Sequence, residues 1–374
     1  MKITDVDANM KAAKTHGSSE QTIRWHVPTP PLFRLAGFAF GGRENGYYRL
    51  PLSALPALSH SNPAFELLAG NTAGGQLYFC TDSTALQIKV TLRAAASLCH
   101  MTATGECGFD CYRETQGTYQ FVNAVKYDQS SIEYTFTFFS GLPADDKKIL
   151  LNFPLYCGVK EVLIGLDADA SLRTPPSFSQ KGRVVVYGTS ITQGGCASRP
   201  GMAYSNLLSR RLGIEFINFG FSGNGNGEPE VAALVSSVAD ARLFILDYEA
   251  NAGLCGKLEQ TFDDLIDAVR GAYAHIPILV LSMPKVSSLM YSEKERGQME
   301  KRRAFMQKNI ADRTQKGDDR LFFLSGETLL GDDWHECTVD GMHPNDLGFY
   351  RIAQALAKPI VALLRQNESK GEEK

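Results

Sequence analysis

A serine hydroxyl becomes a nucleophile only when a neighbouring base takes its proton, and this sequence holds a serine and a base in surroundings that suit those roles. Ser190 lies in VVVYGTSITQGG, residues 184–195, where Val184, Val185, Val186 and Tyr187 form a short apolar run, a glycine and two hydroxyl residues follow, and Gly194 and Gly195 close the loop. Such a run reads as a strand buried on both faces. It delivers Ser190 to the carboxyl edge of a sheet, which is where ligands bind in open α/β folds. The base stands in TVDGMHPNDLGFYRIAQAL, where Asp340 precedes His343 by three positions and Pro344 opens a helix patterned by Leu347, Tyr350, Ala353 and Leu356. A carboxylate at that spacing across a turn accepts from one imidazole nitrogen and leaves the other as a general base. His335, in DDWHECTVD, is a rival, because Asp332 precedes it at the same interval. No proline-led helix follows His335, which favours His343.

Between nucleophile and base, two further strand ends carry small and amide residues: Ser222 to Gly227 after FINFGF, and Glu249, Ala250 and Asn251 after LFILDY. Acyl transfer needs donors where negative charge develops on the carbonyl oxygen. The backbone amide of Ser190, the amide of Gly223 and the side chain of Asn251 suit that oxyanion. Taken singly, each feature has a plainer reading: a helix-capping serine, a turn holding a satisfied histidine, a glycine loop needing positive φ, an asparagine in a turn. Their succession at one edge of one sheet favours an active site. The glycine run lacks the GxGxxG spacing of a dinucleotide fold, and no phosphate-loop lysine accompanies it.

These residues need a scaffold, and the chain divides into two kinds of pattern. Residues 1–175 look all-β: QLYFC (76–80), ALQIKVTL (85–92), YQFVNAV (119–125), IEYTFTFF (132–139) and KILLNFPL (148–155) cluster β-branched and aromatic residues between turn signals. A jelly-roll-like sandwich is expected there. The polar, proline-containing stretch 167–182 marks a boundary, placed at 175/176. In residues 176–366 the runs VVVY, IEFINFGF, RLFILDY, PILVLSM and RLFFLS alternate with segments of helical period, which predicts a five-stranded parallel sheet between helices. Leu258, Phe262, Leu265, Ile266 and Val269 form one apolar stripe, Ser292 and Glu295 a capping box, and residues 367–374 a solvated, disordered tail.

Composition narrows the function. The chain has 374 residues, 44% hydrophobic and 21% charged, with net charge −3, so it carries no electrostatic footprint for nucleic acid or an acidic membrane surface. The amino-terminal stretch lacks a signal peptide's apolar core, and no run approaches the roughly 20 apolar residues of a membrane span. A cytoplasmic location is expected. The eight cysteines lack paired CxxC spacing. Cys107 and Cys111, with His100 upstream, are the nearest approach to a metal cluster, and free buried thiols are the reading adopted.

In order along the second half, Ser190 in YGTSIT, Gly223 in GFSGNG, Asn251 in DYEANAG, and Asp340 with His343 in DGMHPND resemble the sequence blocks of the SGNH (GDSL-like) hydrolases. Thr189 stands where that family's name motif has Asp, and Ala252 where Asp is common. GYYRLP (46–51) and Gly108, Asp110 and Tyr112 in HMTATGECGFDCY look like the β-domain of a bacterial two-domain subset of the family. The resemblance implies a flavodoxin-like catalytic domain, a Ser190–His343–Asp340 triad, an oxyanion hole of Ser190, Gly223 and Asn251, and no metal or organic cofactor. It also implies hydrolysis of short-chain acyl esters, acetyl above all, of carbohydrates or related small molecules. A homo-oligomer is compatible with the sequence. The competing reading is a carbohydrate-binding protein whose α/β domain is catalytically idle.

Overall fold

Strands too apolar to leave either face to water must lie between layers, and the computed structural model, which describes residues 3–12 and 22–369, places them so. Arg183–Gly188, Glu215–Gly220, Ala241–Asp247, Ile278–Leu281 and Leu321–Leu324 form one parallel sheet. Numbered along the chain, their order across the sheet is 2-1-3-4-5: the five-stranded parallel sheet that the alternating pattern predicts, in the flavodoxin-like arrangement that the family resemblance implies. The second strand lies on one side of Arg183–Gly188 and the third on the other, so the sheet's switch point is at the end of the strand that leads into Ser190.

Helices cover this sheet through periodic apolar faces. Leu258–Ala272 buries Leu258, Phe262, Leu265, Ile266 and Val269, the expected stripe, each worth roughly 1.5–3 kcal/mol of burial. Ser292 caps Glu293–Gln315 by accepting from the Glu295 amide at 3.2 Å. The last helix differs from expectation. It runs Asp346–Ser369, and Asn345 rather than Pro344 starts it, its Oδ1 accepting from the Gly348 amide at 3.0 Å. Its buried stripe is Phe349, Ile352, Ala353, Leu356, Ile360, Leu363 and Leu364, whereas Leu347 and Tyr350 are exposed. Over Asp346–Gln366 it is long and apolar enough to cross a membrane, with mean hydropathy 1.3, although no unbroken apolar run in the sequence announces it. Here that apolar stripe has the i, i+3, i+4, i+7 spacing of a helix buried along one side. The backbone is helical through Ser369, so the expected tail does not begin at 367; residues 370–374 lie outside those described.

Two antiparallel sheets make up the other region. Ile23–His26, Val159–Asp167, Leu86–Leu92 and Glu133–Phe139 form one in that order. Leu172–Arg173, Gln76–Thr81, Lys147–Asn152, Asp110–Thr115 and Thr118–Ala124 form the second, with Arg34–Ala36 beside Gln76–Thr81. The sheets share a core: Ile88, Val90, Phe136 and Ile164 from one cluster with Leu77, Phe79, Cys111 and Ile149 from the other. This is a sandwich.

The chain forms two compact units, and they interleave in sequence. One comprises residues up to Tyr48, Gly70–Ser177 and Ser198–Gly201; the other comprises Arg49–Ala69, Phe178–Ala197 and residues from Met202 onward. A single cut at 175/176 does not describe them. Long-range bonds decide the crossings: Arg49 binds carbonyls of the parallel sheet, and Arg199 binds Asp110.

Candidate active site

Ser190 opens a one-turn helix, Ser190–Gln193, that starts abruptly after Gly188. A Cβ at position 188 would lie 2.0 Å from Thr192 Oγ1, so only glycine permits the turn. Thr189 caps the helix, its hydroxyl accepting from the Ile191 amide at 3.3 Å. This is work that Asp does equally well, so the departure from the family motif is conservative. Beneath the helix, Asp247 accepts from the hydroxyls of Thr192 and Tyr204, each at 2.7 Å. Burial pushes the Asp247 carboxyl up to about 6, against the downward pull of those two hydroxyls, and the Glu249 charge adds to the rise.

The candidate base, His343, is held by a tight turn closed by a bridge between Thr338 and Pro344. Asp340 accepts at Oδ1 from the amides of Met342 and His343, at 3.0 and 2.7 Å, and its Oδ2 lies 2.7 Å from His343 Nδ1. Burial pushes the Asp340 carboxyl up, but the His343 ring, the two amides and the His343 charge outweigh it and hold it down at about 2. An ionised Asp340 requires the proton on Nδ1, which leaves Nε2 as an acceptor. Nε2 lies 2.9 Å from Ser190 Oγ. His335 points elsewhere: its ring is half exposed, 3.9 Å from Glu336. Geometry thus separates two histidines that spacing leaves equal.

The remaining expected groups meet at one turn. Gly223 has φ +65° in the segment after Glu215–Gly220, where a Cβ would meet no atom within 4 Å, so backbone conformation rather than space calls for glycine. Asn251, on Glu249–Leu254, donates through Nδ2 to the carbonyl of Asn224 and, at 3.5 Å, to that of Phe221. It therefore grips the turn that carries Gly223. From the inner side, Gln193 Oε1 accepts from the Ser222 amide at 3.0 Å, and Asn218 Nδ2 donates to the Thr192 carbonyl at 2.7 Å. The sequence reading missed Gln193, Asn218 and Asp247. The only signal for them was their place on strands or beside Ser190.

In the sandwich unit, Asp110 and Tyr112 lie at the start of the strand Asp110–Thr115. Asp110 is fully buried and accepts from Asn152 at 2.7 Å, from the Gly201 amide at 2.8 Å and from Arg199 at 2.9 Å. Arg199 also donates to the Tyr112 hydroxyl and lies over the Phe121 ring, 4.0 Å from its centre. The motif's acid and phenol therefore anchor the segment Ser198–Gly201. Cys107 and Cys111 are buried in the sandwich core, whereas His100 is exposed with its ring 3.8 Å from Cys99 Sγ.

A parallel sheet presenting a hydrogen-bonded serine, histidine and aspartate at its switch point has the layout of a serine-dependent hydrolase. Residues 181–361 match the model of the GDSL-like lipase/acylhydrolase family, and residues 23–172 match the amino-terminal domain of SGNH-hydrolase-type esterases. A protein from Bacteroides ovatus described as a GDSL-like lipase is 31% identical, with a TM-score of 0.83 over 92% of this chain and 98% of its own. The chain belongs to the GDSL-like lipase/acylhydrolase family and is a carboxylic ester hydrolase. Two more distant structures share the fold. A salicylyl-acyltransferase of a tetracycline biosynthetic pathway is 20% identical with a TM-score of 0.73, covering 91% of this chain and 97% of its own. A family two carbohydrate esterase from Clostridium thermocellum, in complex with cellohexaose, is 15% identical with a TM-score of 0.56, covering 77% and 92%. No match was found among curated proteins.

Proposed function

We propose that this esterase removes short acyl groups, acetyl above all, from carbohydrates or related small molecules through a Ser190–His343–Asp340 triad. The observation that carries the mechanism is the unbroken relay from Ser190 Oγ to His343 Nε2, at 2.9 Å, and from His343 Nδ1 to Asp340, at 2.7 Å. His343 takes the Ser190 proton as Oγ attacks the ester carbonyl. The backbone amides of Ser190 and Gly223 receive the oxyanion. Asn251 adds a third donor when the hydrogen that it gives to the Phe221 carbonyl, at 3.5 Å, the limit of a hydrogen bond, turns to the oxyanion. The tetrahedral intermediate collapses, and His343 returns the proton to the leaving alcohol. Water, deprotonated by His343, then releases the acid and frees Ser190.

The carbohydrate side of the reading is supported by the fold shared with the esterase bound to cellohexaose. The test is hydrolysis of p-nitrophenyl acetate and butyrate, followed by a panel of acetylated sugars, with Ser190→Ala beside the parent. Acetate preferred over butyrate, release of acetate from the sugars, and loss of both in the variant are expected. Glycan binding that survives Ser190→Ala, with no ester cleavage by the parent, would sink the catalytic reading in favour of a binding protein.

A further inference from the structure

The strand Glu215–Gly220 is outermost in the parallel sheet, paired with Arg183–Gly188 on one side. An outermost strand turns alternate carbonyls away from its neighbour. Two of these, on Asn218 and Gly220, accept from Arg49 Nη1 at 3.1 and 2.6 Å, and Nη2 donates to the Leu68 carbonyl at 2.7 Å. Arg49 is 1% exposed. Its guanidinium also lies over the Phe221 ring, 4.8 Å from the centre, and Phe65 meets the same ring edge-on at 5.2 Å. Apolar packing alone would not call for a cation here, because burying one is costly unless its donors are used. Arg49 spends its donors where a further strand would have paired, at the point where Glu215–Gly220 gives way to the turn carrying Gly223.

The same turn has a second outer tie. Asn62 Nδ2 donates to Asn224 Oδ1 at 2.6 Å, and Asn62 is itself fixed by the Ala64 amide, which donates to its Oδ1 at 3.1 Å. On the inner side, the Phe221 amide donates to the Gly188 carbonyl at 2.9 Å and the Ser222 amide to Gln193. Gly223 is therefore clamped between the nucleophile helix and a strut made by residues 49–69.

We propose that Arg49 is a positioning residue: through the carbonyls of Asn218 and Gly220 it sets where the Gly223 amide stands relative to Ser190. This rests on the reading of Ser190 and Gly223 as nucleophile and oxyanion donor. The test is Arg49→Lys, which keeps the charge but replaces a planar fork by one compact donor that does not span three carbonyls. Removing an oxyanion donor outright costs about 10²- to 10³-fold in kcat, so displacing one should cost roughly tenfold or more. KM for p-nitrophenyl acetate should stay within about twofold, as for an interaction made only in the transition state. Affinity for phenylboronic acid, which forms a tetrahedral adduct on the serine, should fall by the same factor as kcat.

A lower melting temperature with unchanged kcat per titrated active site and unchanged boronate affinity would overturn the proposal. Should Arg49→Lys fail to fold, Asn62→Ala decides, since it loosens the turn without stranding a buried charge. A kcat loss of several-fold at constant KM is expected, and wild-type kcat and boronate affinity would overturn the proposal. A parent enzyme that cleaves none of the esters tested would instead defeat the esterase mechanism, and the positioning role with it.

Discussion

The two sides of Ser190 are held in different ways. On the base side a single turn suffices, because the acid, the base and the amides that fix the acid all fall within Asp340–His343. On the side proposed for the oxyanion, Gly223 is held by groups from across the unit, with Asn251, Gln193, Asn218, Asn62 and Arg49 each tying its turn or the adjoining strand. A self-contained turn preserves its geometry whatever surrounds it. A turn braced from several directions is as accurate as its weakest brace. Damage to the base side should therefore be total and local, and damage to the other side graded.

The largest effect should come from the base. His343→Ala should lower kcat by about 10⁴-fold or more, leaving only what binding and oxyanion stabilisation supply, whereas His335→Ala should retain most of the activity. Steady-state kinetics on p-nitrophenyl acetate check both. The reverse pattern would make the relay an incidental turn and break the contrast between the two sides.

That contrast also explains what could be read from the sequence. The Asp340–His343 pair is visible because its geometry is local: the spacing permits the bond, although the same spacing at Asp332 and His335 leaves the choice between the two histidines to the fold. The stripe on Leu258–Ala272 is visible for the same reason. Arg49 is not: GYYRLP carries no periodic or motif signal for a guanidinium that caps strand carbonyls far along the chain, and the only hint was a family likeness with no role attached. Asp247 read as a strand end because burial and partners contributed by Thr192 and Tyr204 are properties of the fold. The strand Val159–Asp167 escaped notice because exposed Lys160 and Glu161 interrupt its apolar run. The register of the last helix was misjudged because Pro344 is the stronger opening signal, while Asn345 makes the capping bond.

In the sandwich unit, the next effect tests whether an anchor outside the relay acts on stability. Asp110→Ala leaves the Arg199 guanidinium, largely buried, without its carboxylate, and breaking a buried pair in this way costs about 3–5 kcal/mol. Chemical denaturation should show that loss. If the melting behaviour were unchanged, the contacts of Asp110 with Arg199 and Gly201 would be idle, and the family's acid would need another role. Smaller again should be Asn251→Ala, with a kcat loss of about 10²-fold at nearly constant KM. A loss as large as that of His343→Ala would erase the distinction between a graded side and a total one.

The smallest effect lies beneath the helix that both sides share. Asp247 is partly buried, and burial raises its carboxyl from 3.8 to about 6. The folded state therefore holds this proton more tightly than the unfolded chain does. The resulting stability is complete below about pH 3.8 and is lost as pH rises through about 6. Between pH 7 and pH 5 this one group should add roughly 1 kcal/mol to the unfolding free energy. Asp340 acts in the opposite direction and in another window: held at about 2, it contributes stability that is present above the usual carboxylate range and disappears as pH falls through about 2. The two therefore do not overlap between pH 5 and pH 7. Asp247→Asn keeps an oxygen that accepts from Thr192 and Tyr204 but removes the titration. Urea unfolding of parent and variant at pH 5, 6 and 7 should show the gap between them narrowing or reversing as pH rises, because only the parent is destabilised by ionisation. A pH-independent gap would mean that Asp247 does not titrate in this range, and that its carboxylate serves the nucleophile helix as a fixed acceptor, as permanent as the turn that holds His343.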